Sequence, residues 1–366
     1  MPSAILSPTP VKFDPAVHLN YQPPKSRTTM KDLALEGRGI SPVAVTEPFP
    51  LFSLEGVTEL RREILSQEVL DKYTVSSHLA ALQAREFPES VTPFVYAAWK
   101  SPEMIAAVSA AAGIDLVPAH PCAALPFVSC LRLTLSSISM DLELGHTNFQ
   151  VGGQGIEGIR STSVYPQPQS PFFEGEELEN IKAKAAADDG MGADGSIAFH
   201  HDSYPFVAVV MLSDCQNMVG GETAIKTGDG RIVKARGPSI GSAVVMQGRY
   251  LSHAGLKAYN VHERIAMVTS FRPRDPLLED SSVLSTIRYI SKKNRLNYQW
   301  SVYRFKLLSE RFATMAAQLE AKKAALGPED DEDGRGGGEV VNVEEMSEWL
   351  DQQVAYLNLT KDEYHK

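Results

Sequence analysis

Cysteine is scarce in this chain, with only Cys122, Cys130 and Cys215 among 366 residues. Three thiols so far apart make neither a disulfide framework nor a Cys-based zinc site, so buried thiols in a reducing compartment are the expectation. Long apolar runs are missing too. No stretch approaches the roughly 20 residues of a membrane helix, and Met1 to Met30, rich in Pro, Ser and Lys, lacks the apolar core of a secretory leader. Positive charge is in deficit, 35 Lys and Arg against 45 Asp and Glu, for a formal net charge of -10. A nucleic-acid partner needs a basic surplus to neutralise phosphates, and that class is excluded. The expectation is a cytoplasmic protein with neither nucleic acid nor membrane as partner; the oligomeric state is left open.

Periodicity divides the chain. Residues 1–50 are proline-rich and aperiodic, an extended arm that wraps a domain or stays loose. Residues 51–124 turn helical: Leu60, Ile64, Val69 and Leu70 recur near helical spacing, Ser101-Pro102 reads as an N-cap, and Gly113 as a C-cap. In residues 125–276 short runs rich in Val, Ile, Leu and Thr (130–138, 206–212, 243–246 and 265–271) read as strands. Thr227-Gly228-Asp229-Gly230 between two such runs is a hairpin signal, and residues 174–187 are a helical interruption. Residues 277–366 return to helix, notably 300–326, broken by an acidic and glycine-rich loop at 327–338. Helices, then short antiparallel strands, then helices suit an α+β barrel or jelly roll between helical layers. There is no internal repeat.

The chemistry concentrates between Phe199 and Pro276. In Phe199-His200-His201-Asp202-Ser203-Tyr204, strand alternation puts His200, Asp202 and Tyr204 on one face and His201 and Ser203 on the other. His253 follows Asp202 by 51 residues and supplies a second imidazole. A lone His-x-Asp is weak among nine histidines. Two His and one carboxylate on one face of a metal, however, is the arrangement of non-haem iron(II) oxygenases, which keeps positions open. Arg264, 11 residues after His253, opens a strand where a buried guanidinium needs an anionic partner. Gly220-Gly221-Glu222-Thr223 and the glycines of residues 237–241 supply tight turns before strands.

His200-x-Asp202, His253 and Arg264, taken together, resemble the double-stranded β-helix core of the iron(II)/2-oxoglutarate-dependent dioxygenase superfamily, over residues 125–276. The Gly-Gly-Glu-Thr turn resembles its prolyl-hydroxylase-like branch. Ser163-Val164-Tyr165-Pro166 resembles an Asn-x-Tyr-Pro element of the isopenicillin N synthase branch, with Ser163 in place of Asn. Ala266 stands where that branch has the Ser of an Arg-x-Ser motif. The chain as a whole resembles fungal oxygenases of small-molecule biosynthesis. The resemblance implies iron(II) on His200, Asp202 and His253, with 2-oxoglutarate and dioxygen as cosubstrates. It further implies that Arg264 clamps the distal carboxylate of 2-oxoglutarate with help from Tyr165. The implied reaction oxidises a C–H bond of a small molecule, an amino acid or secondary-metabolite intermediate included, by hydroxylation, desaturation or oxidative cyclisation.

Substrate contacts are less legible. Tyr204, Arg249, Thr269 and Phe271 are the candidates, while His146, His262, Arg272 and Arg274 read as structural or solvated. A protein or peptide hydroxylase and a non-catalytic ligand-binding barrel are the competing readings. A zinc hydrolase is disfavoured because no His-Glu-x-x-His helix is present.

Overall fold

In the computed structural model of the chain, the described residues are 11–76, 82–119, 141–151, 155–190, 197–235, 237, 239–326 and 340–366. The expected strand at 130–138, the loop at 327–338, Cys122 and Cys130 lie outside them.

Local sequence signals place the first helices. Helices α1 (Pro15–His18), α2 (Leu54–Ile64), α3 (Gln67–Lys72), α4 (Pro93–Lys100) and α5 (Pro102–Ala112) precede the main strands. The Ser53, Ser66 and Ser101 side chains accept hydrogen bonds from the first-turn amides of α2, α3 and α5. Pro102 fits the first turn of α5, where no amide donor is needed. Gly113 ends it in the left-handed region (φ 70°), which a side chain there would strain. Later come α6 (Gly155–Arg160), α7 (Gly175–Ala187), α8 (Lys293–Leu326) and α9 (Val343–Asp362). No described helix is long and apolar enough to cross a membrane.

Before residue 120 the strands are β1 (Arg27–Thr29), β2 (Val43–Thr46), β3 (Phe49–Pro50), β4 (Thr74–Val75), β5 (Gln83–Ala84) and β6 (Leu116–Pro118). The central ones are β7 (His146–Val151), β8 (Ile197–His200), β9 (Phe206–Met211), β10 (Val219–Gly220), β11 (Thr223–Lys226) and β12 (Ile232–Ala235). Last come β13 (Ser242–Met246), β14 (His253–Gly255), β15 (Ala258–Tyr259) and the long β16 (Glu263–Pro273). A large antiparallel sheet runs β1-β2-β13-β9-β16-β7-β5-β4, with β3 against β13 and β6 against β16. A smaller antiparallel sheet, β12-β11-β14-β8, opposes it, and the hairpin β11–β12 closes where the Thr-Gly-Asp-Gly signal falls. Two opposed antiparallel sheets with flanking helices are the double-stranded β-helix, or jelly roll, that was expected.

Strand alternation decides what each face covers. Ala208 and Val210 of β9, Ala243 and Val245 of β13, and Ile265 and Met267 of β16 join one core with α2, α4 and α5. Their neighbours Val207, Val244, Met246 and Val268 face the other way, toward Ile225 of the small sheet. Both faces of the large sheet are therefore buried, which explains why its strands read as near-continuous apolar runs rather than alternating ones. Trp300 and Tyr303 of α8 pack with Leu142, Tyr204, Leu284 and Ile287 in a separate core cluster.

Two segments outside residues 125–276 join the large sheet. The N-terminal arm is part of the large sheet: β2 hydrogen-bonds β13 through Val45 and Met246. The segment expected to be helical also contributes β4, β5 and β6. Such strands have two or three residues each, too short to show a period in sequence.

Candidate metal centre and its cavity

Antiparallel pairing of β14 with β8 sets His253 directly across from His200, their rings 4.4 Å apart between centroids. After His200 the chain leaves the strand, and the Asp202 amide donates to the Gly248 carbonyl at 3.0 Å. That bond turns the carboxylate under both rings, 3.4 Å from His200 Nε2 and 3.6 Å from His253 Nε2. One ligand atom from each residue lies within 4.8 Å of the others. His201 points elsewhere, its Nδ1 at 3.2 Å from the Arg249 carbonyl.

The second nitrogen of each ligand ring is tied down. Nδ1 of His200 lies 2.8 Å from the Ala198 carbonyl, and Nδ1 of His253 lies 2.9 Å from that of Leu251. A carbonyl can only accept, so Nδ1 carries the hydrogen and Nε2 of a neutral ring presents its lone pair toward Asp202. Burial holds His253 below the ordinary imidazole range, which favours that neutral form. Burial also lowers His200, but the Asp202 carboxylate outweighs it and the net shift is upward. Burial would raise Asp202, yet the two imidazoles prevail and hold it at about 2. Two imidazole nitrogens and one ionised carboxylate suit a divalent first-row metal with open positions opposite the protein, so the residues fit iron(II). Gly248 makes room for the set: a Cβ there would fall 1.8 Å from Asp202 Oδ2.

The centre opens on a cavity of about 140 Å³ between the sheets. Four alternate residues of β16, Arg264, Ala266, Val268 and Ser270, line it. Among the described residues Arg264 has no ion-pair partner, and its Nε meets no acceptor. Burial holds its guanidinium below the ordinary value, with only Cys215 pulling the other way. A desolvated cation without an ion-pair partner among the described residues is a candidate anion site. A second polar group lines the same cavity: Gln83, Arg85, Glu143, His146 and Asn148. Arg85 pairs with Glu143, whose other oxygen accepts from Ser270 Oγ at 3.0 Å.

Several expected contacts are not where the sequence suggested. Tyr165 is 60% exposed on the loop after α6, with its ring 6.0 Å from the Arg62 guanidinium, and it does not line the cavity. The reason is local: Arg61 of α2 takes the Ser163 and Val164 carbonyls, which fixes this loop on the outer side of the helix. Tyr204 is fully buried beside Trp300 and Tyr303 and does not line the cavity, because β8 ends at His200 and strand alternation lapses after it. Arg249 donates from Nε to the Ser281 carbonyl at 3.0 Å and does not line the cavity. Thr269 and Phe271 have the opposite parity to Arg264. Thr269 Oγ1 accepts from the Gly145 amide at 2.9 Å, and Phe271 packs 6.1 Å from Trp99. The parity that places Arg264 inside would have selected Val268 and Ser270 from sequence alone. His146, read as structural or solvated, instead lines the cavity from β7.

No protein-family model matches the chain, and no curated protein matches it. Some solved structures align in part. IDO from Bacillus thuringiensis is 18% identical over 22% of this chain and 39% of that one, with a TM-score of 0.18. A full-length Neurospora crassa protein in complex with alpha-KG is 14% identical over 60% and 69%, with a TM-score of 0.30. A Pseudomonas putida prolyl-4-hydroxylase is 17% identical over 36% and 73%, with a TM-score of 0.18. The chain thus spans about two fifths of the first of these and roughly seven tenths of the other two.

Proposed function

We propose that the protein is an iron(II)- and 2-oxoglutarate-dependent oxygenase acting on a C–H bond of a small molecule. The observation that carries this reading is the coincidence, in one cavity, of the His200–Asp202–His253 set and the guanidinium of Arg264, which has no ion-pair partner among the described residues. When bound there, iron would supply oxidation by dioxygen coupled to decarboxylation of 2-oxoglutarate to succinate. The protein's own work is positional. His200 and His253 offer Nε2 because Ala198 and Leu251 hold the other nitrogen. Asp202 would contribute one negative charge toward a divalent cation, and Arg264 would take the distal carboxylate through paired N–H donors. Val207, Val209, Val268 and Leu256 line the space between and keep water out. The cavity of about 140 Å³ has room for a small group beside the three residues.

The test is anaerobic loading with iron(II) and 2-oxoglutarate, admission of oxygen, and quantitation of succinate. Succinate formation should require both additions and vanish in His200→Ala, while His201→Ala retains it. If His201→Ala abolished turnover and His200→Ala kept it, the ligand assignment would be overturned; if neither metal nor 2-oxoglutarate bound, the reading itself would fall.

A further inference from the structure

The Arg85 end of the cavity has a composition that the metal centre and Arg264 do not need. Arg85, Gln83 and Glu143 are each 5% exposed and His146 is 9% exposed, and all four line the cavity. Gln83 Nε2 donates to Asn148 Oδ1 at 2.6 Å, yet among the described residues its Oε1 has no partner. Arg85 uses Nη2 on Glu143 and on the Leu142 carbonyl, yet its Nε meets no acceptor among the described residues. His146 Nδ1 has no partner among them either, since Glu143 Oε2 lies 3.9 Å away. Three buried polar atoms on one wall, one acceptor, one donor and one imidazole nitrogen, are thus left unpaired by the described residues. Buried polar atoms are rarely left so, and a set that lines one cavity calls for a ligand that pairs them.

We propose that this wall is the substrate subsite and that its ligand is a small zwitterion, a molecule with an anionic acceptor group and a cationic donor group of balanced charge. The inference rests on the oxygenase reading above and names the substrate class of that site. Charge supports it: Arg85 and Glu143 compensate each other, whereas Arg264 stays free for a cosubstrate anion. A net anion at this wall would add uncompensated charge beside Glu143 and Asp202, and a net cation would meet Arg85. A zwitterion instead matches both poles. Its anionic group takes the Arg85 Nε–H and a hydrogen from His146. Its ammonium donates to Gln83 Oε1 and to the free lone pairs of Glu143, whose two oxygens otherwise serve Arg85 and Ser270. The pairing also aims the molecule. His146 and Asn148 stand across β7–β16 from Val268 and Ala266, so the ligand's apolar part would lie against the aliphatic stretch that leads to the metal ligands.

The experiment uses the full chain loaded anaerobically with zinc(II) and 2-oxoglutarate, so that binding is read without turnover. Saturation-transfer NMR compares three probe mixtures: standard α-amino acids, the same carbon skeletons without the amino group, and the same skeletons without the carboxylate. Zwitterions should bind and the two truncated sets should not. Gln83→Leu and Glu143→Gln should each weaken that binding by about tenfold or more, since the first removes an acceptor for the ammonium and the second removes the negative charge beside it. Both variants should bind 2-oxoglutarate as the parent does, which also shows that they are folded. If acids or amines bind as well as the zwitterions, if no zwitterion binds, or if neither variant changes affinity, the subsite is overturned while the oxygenase reading survives. Failure of 2-oxoglutarate to bind the parent chain overturns both.

Discussion

Gly248→Ala is the smallest change that should disable the proposed metal centre. The added Cβ would lie 1.8 Å from Asp202 Oδ2, 2.7 Å from its Cγ and 3.0 Å from its Cβ. Ordinary contact begins near 3.4 Å, so the carboxylate must recede by about 1.6 Å. It has little room to do so gracefully, because the Asp202 amide is bonded to the Gly248 carbonyl at 3.0 Å and the two backbones move together. Metal–ligand distances tolerate only about 0.2 Å, and disturbing groups that orient a ligand lowers metal affinity about 10- to 100-fold. A loss at the upper end of that range is expected. Gly255→Ala is the matched control: it lies two residues after His253, yet its Cβ would meet Ile197 at an ordinary 3.4 Å. Anaerobic calorimetric titration with iron(II) or cobalt(II) measures the affinity, and circular dichroism checks the fold. A folded Gly248→Ala protein that binds metal as tightly as the parent would refute the reasoning.

Arg264→Ala should weaken 2-oxoglutarate about tenfold or more while leaving metal affinity intact, since a charge-assisted pair contributes about 1.5–3 kcal/mol; an unchanged dissociation constant in zinc-loaded protein rules out the clamp. Arg61→Ala should destabilise the fold by about 3–5 kcal/mol, because Glu263 and the Leu212, Ser163 and Val164 carbonyls lose one shared, buried donor. Urea unfolding measures it, and a loss near zero contradicts that role. Glu63 is raised to about 7 from 4.5, chiefly by burial, against the pull of the Val95 and Phe94 amides. With the folded value above the unfolded one, its contribution is complete below about pH 4.5 and is lost as pH rises to about 7, on the order of 3 kcal/mol. Glu63→Gln should remove most of that slope from the urea-denaturation profile, and an unaltered slope would contradict the assignment.

The convergence of His200, Asp202 and His253 was legible because its signals are local and chemical: a His-x-Asp at a strand end and a distal His. So were the Ser101 cap, the Gly113 terminus and the β11–β12 turn, each set by a few neighbouring residues. Tyr165 misled because a four-residue likeness says nothing of which side of α2 its loop covers; that depends on Arg61, a hundred residues earlier. Gln83 and Arg85 were hidden by the brevity of β5 inside a segment that otherwise reads as helix. His146 carried no sequence signal at all, since a lone imidazole becomes a cavity group only through the pairing of β7 with β16. Thr269 and Phe271 were avoidable: Arg264 sets the inward parity of β16, and both violate it.

The most direct measurement is anomalous diffraction at the iron edge from crystals grown anaerobically with iron(II) and 2-oxoglutarate. The predicted result is one strong peak bounded by His200 Nε2, Asp202 and His253 Nε2, with the distal carboxylate of 2-oxoglutarate on Arg264 and the Arg85 wall free for a second molecule. A peak away from those three residues, or a 2-oxoglutarate carboxylate seated on Arg85 with Arg264 unengaged, would contradict it.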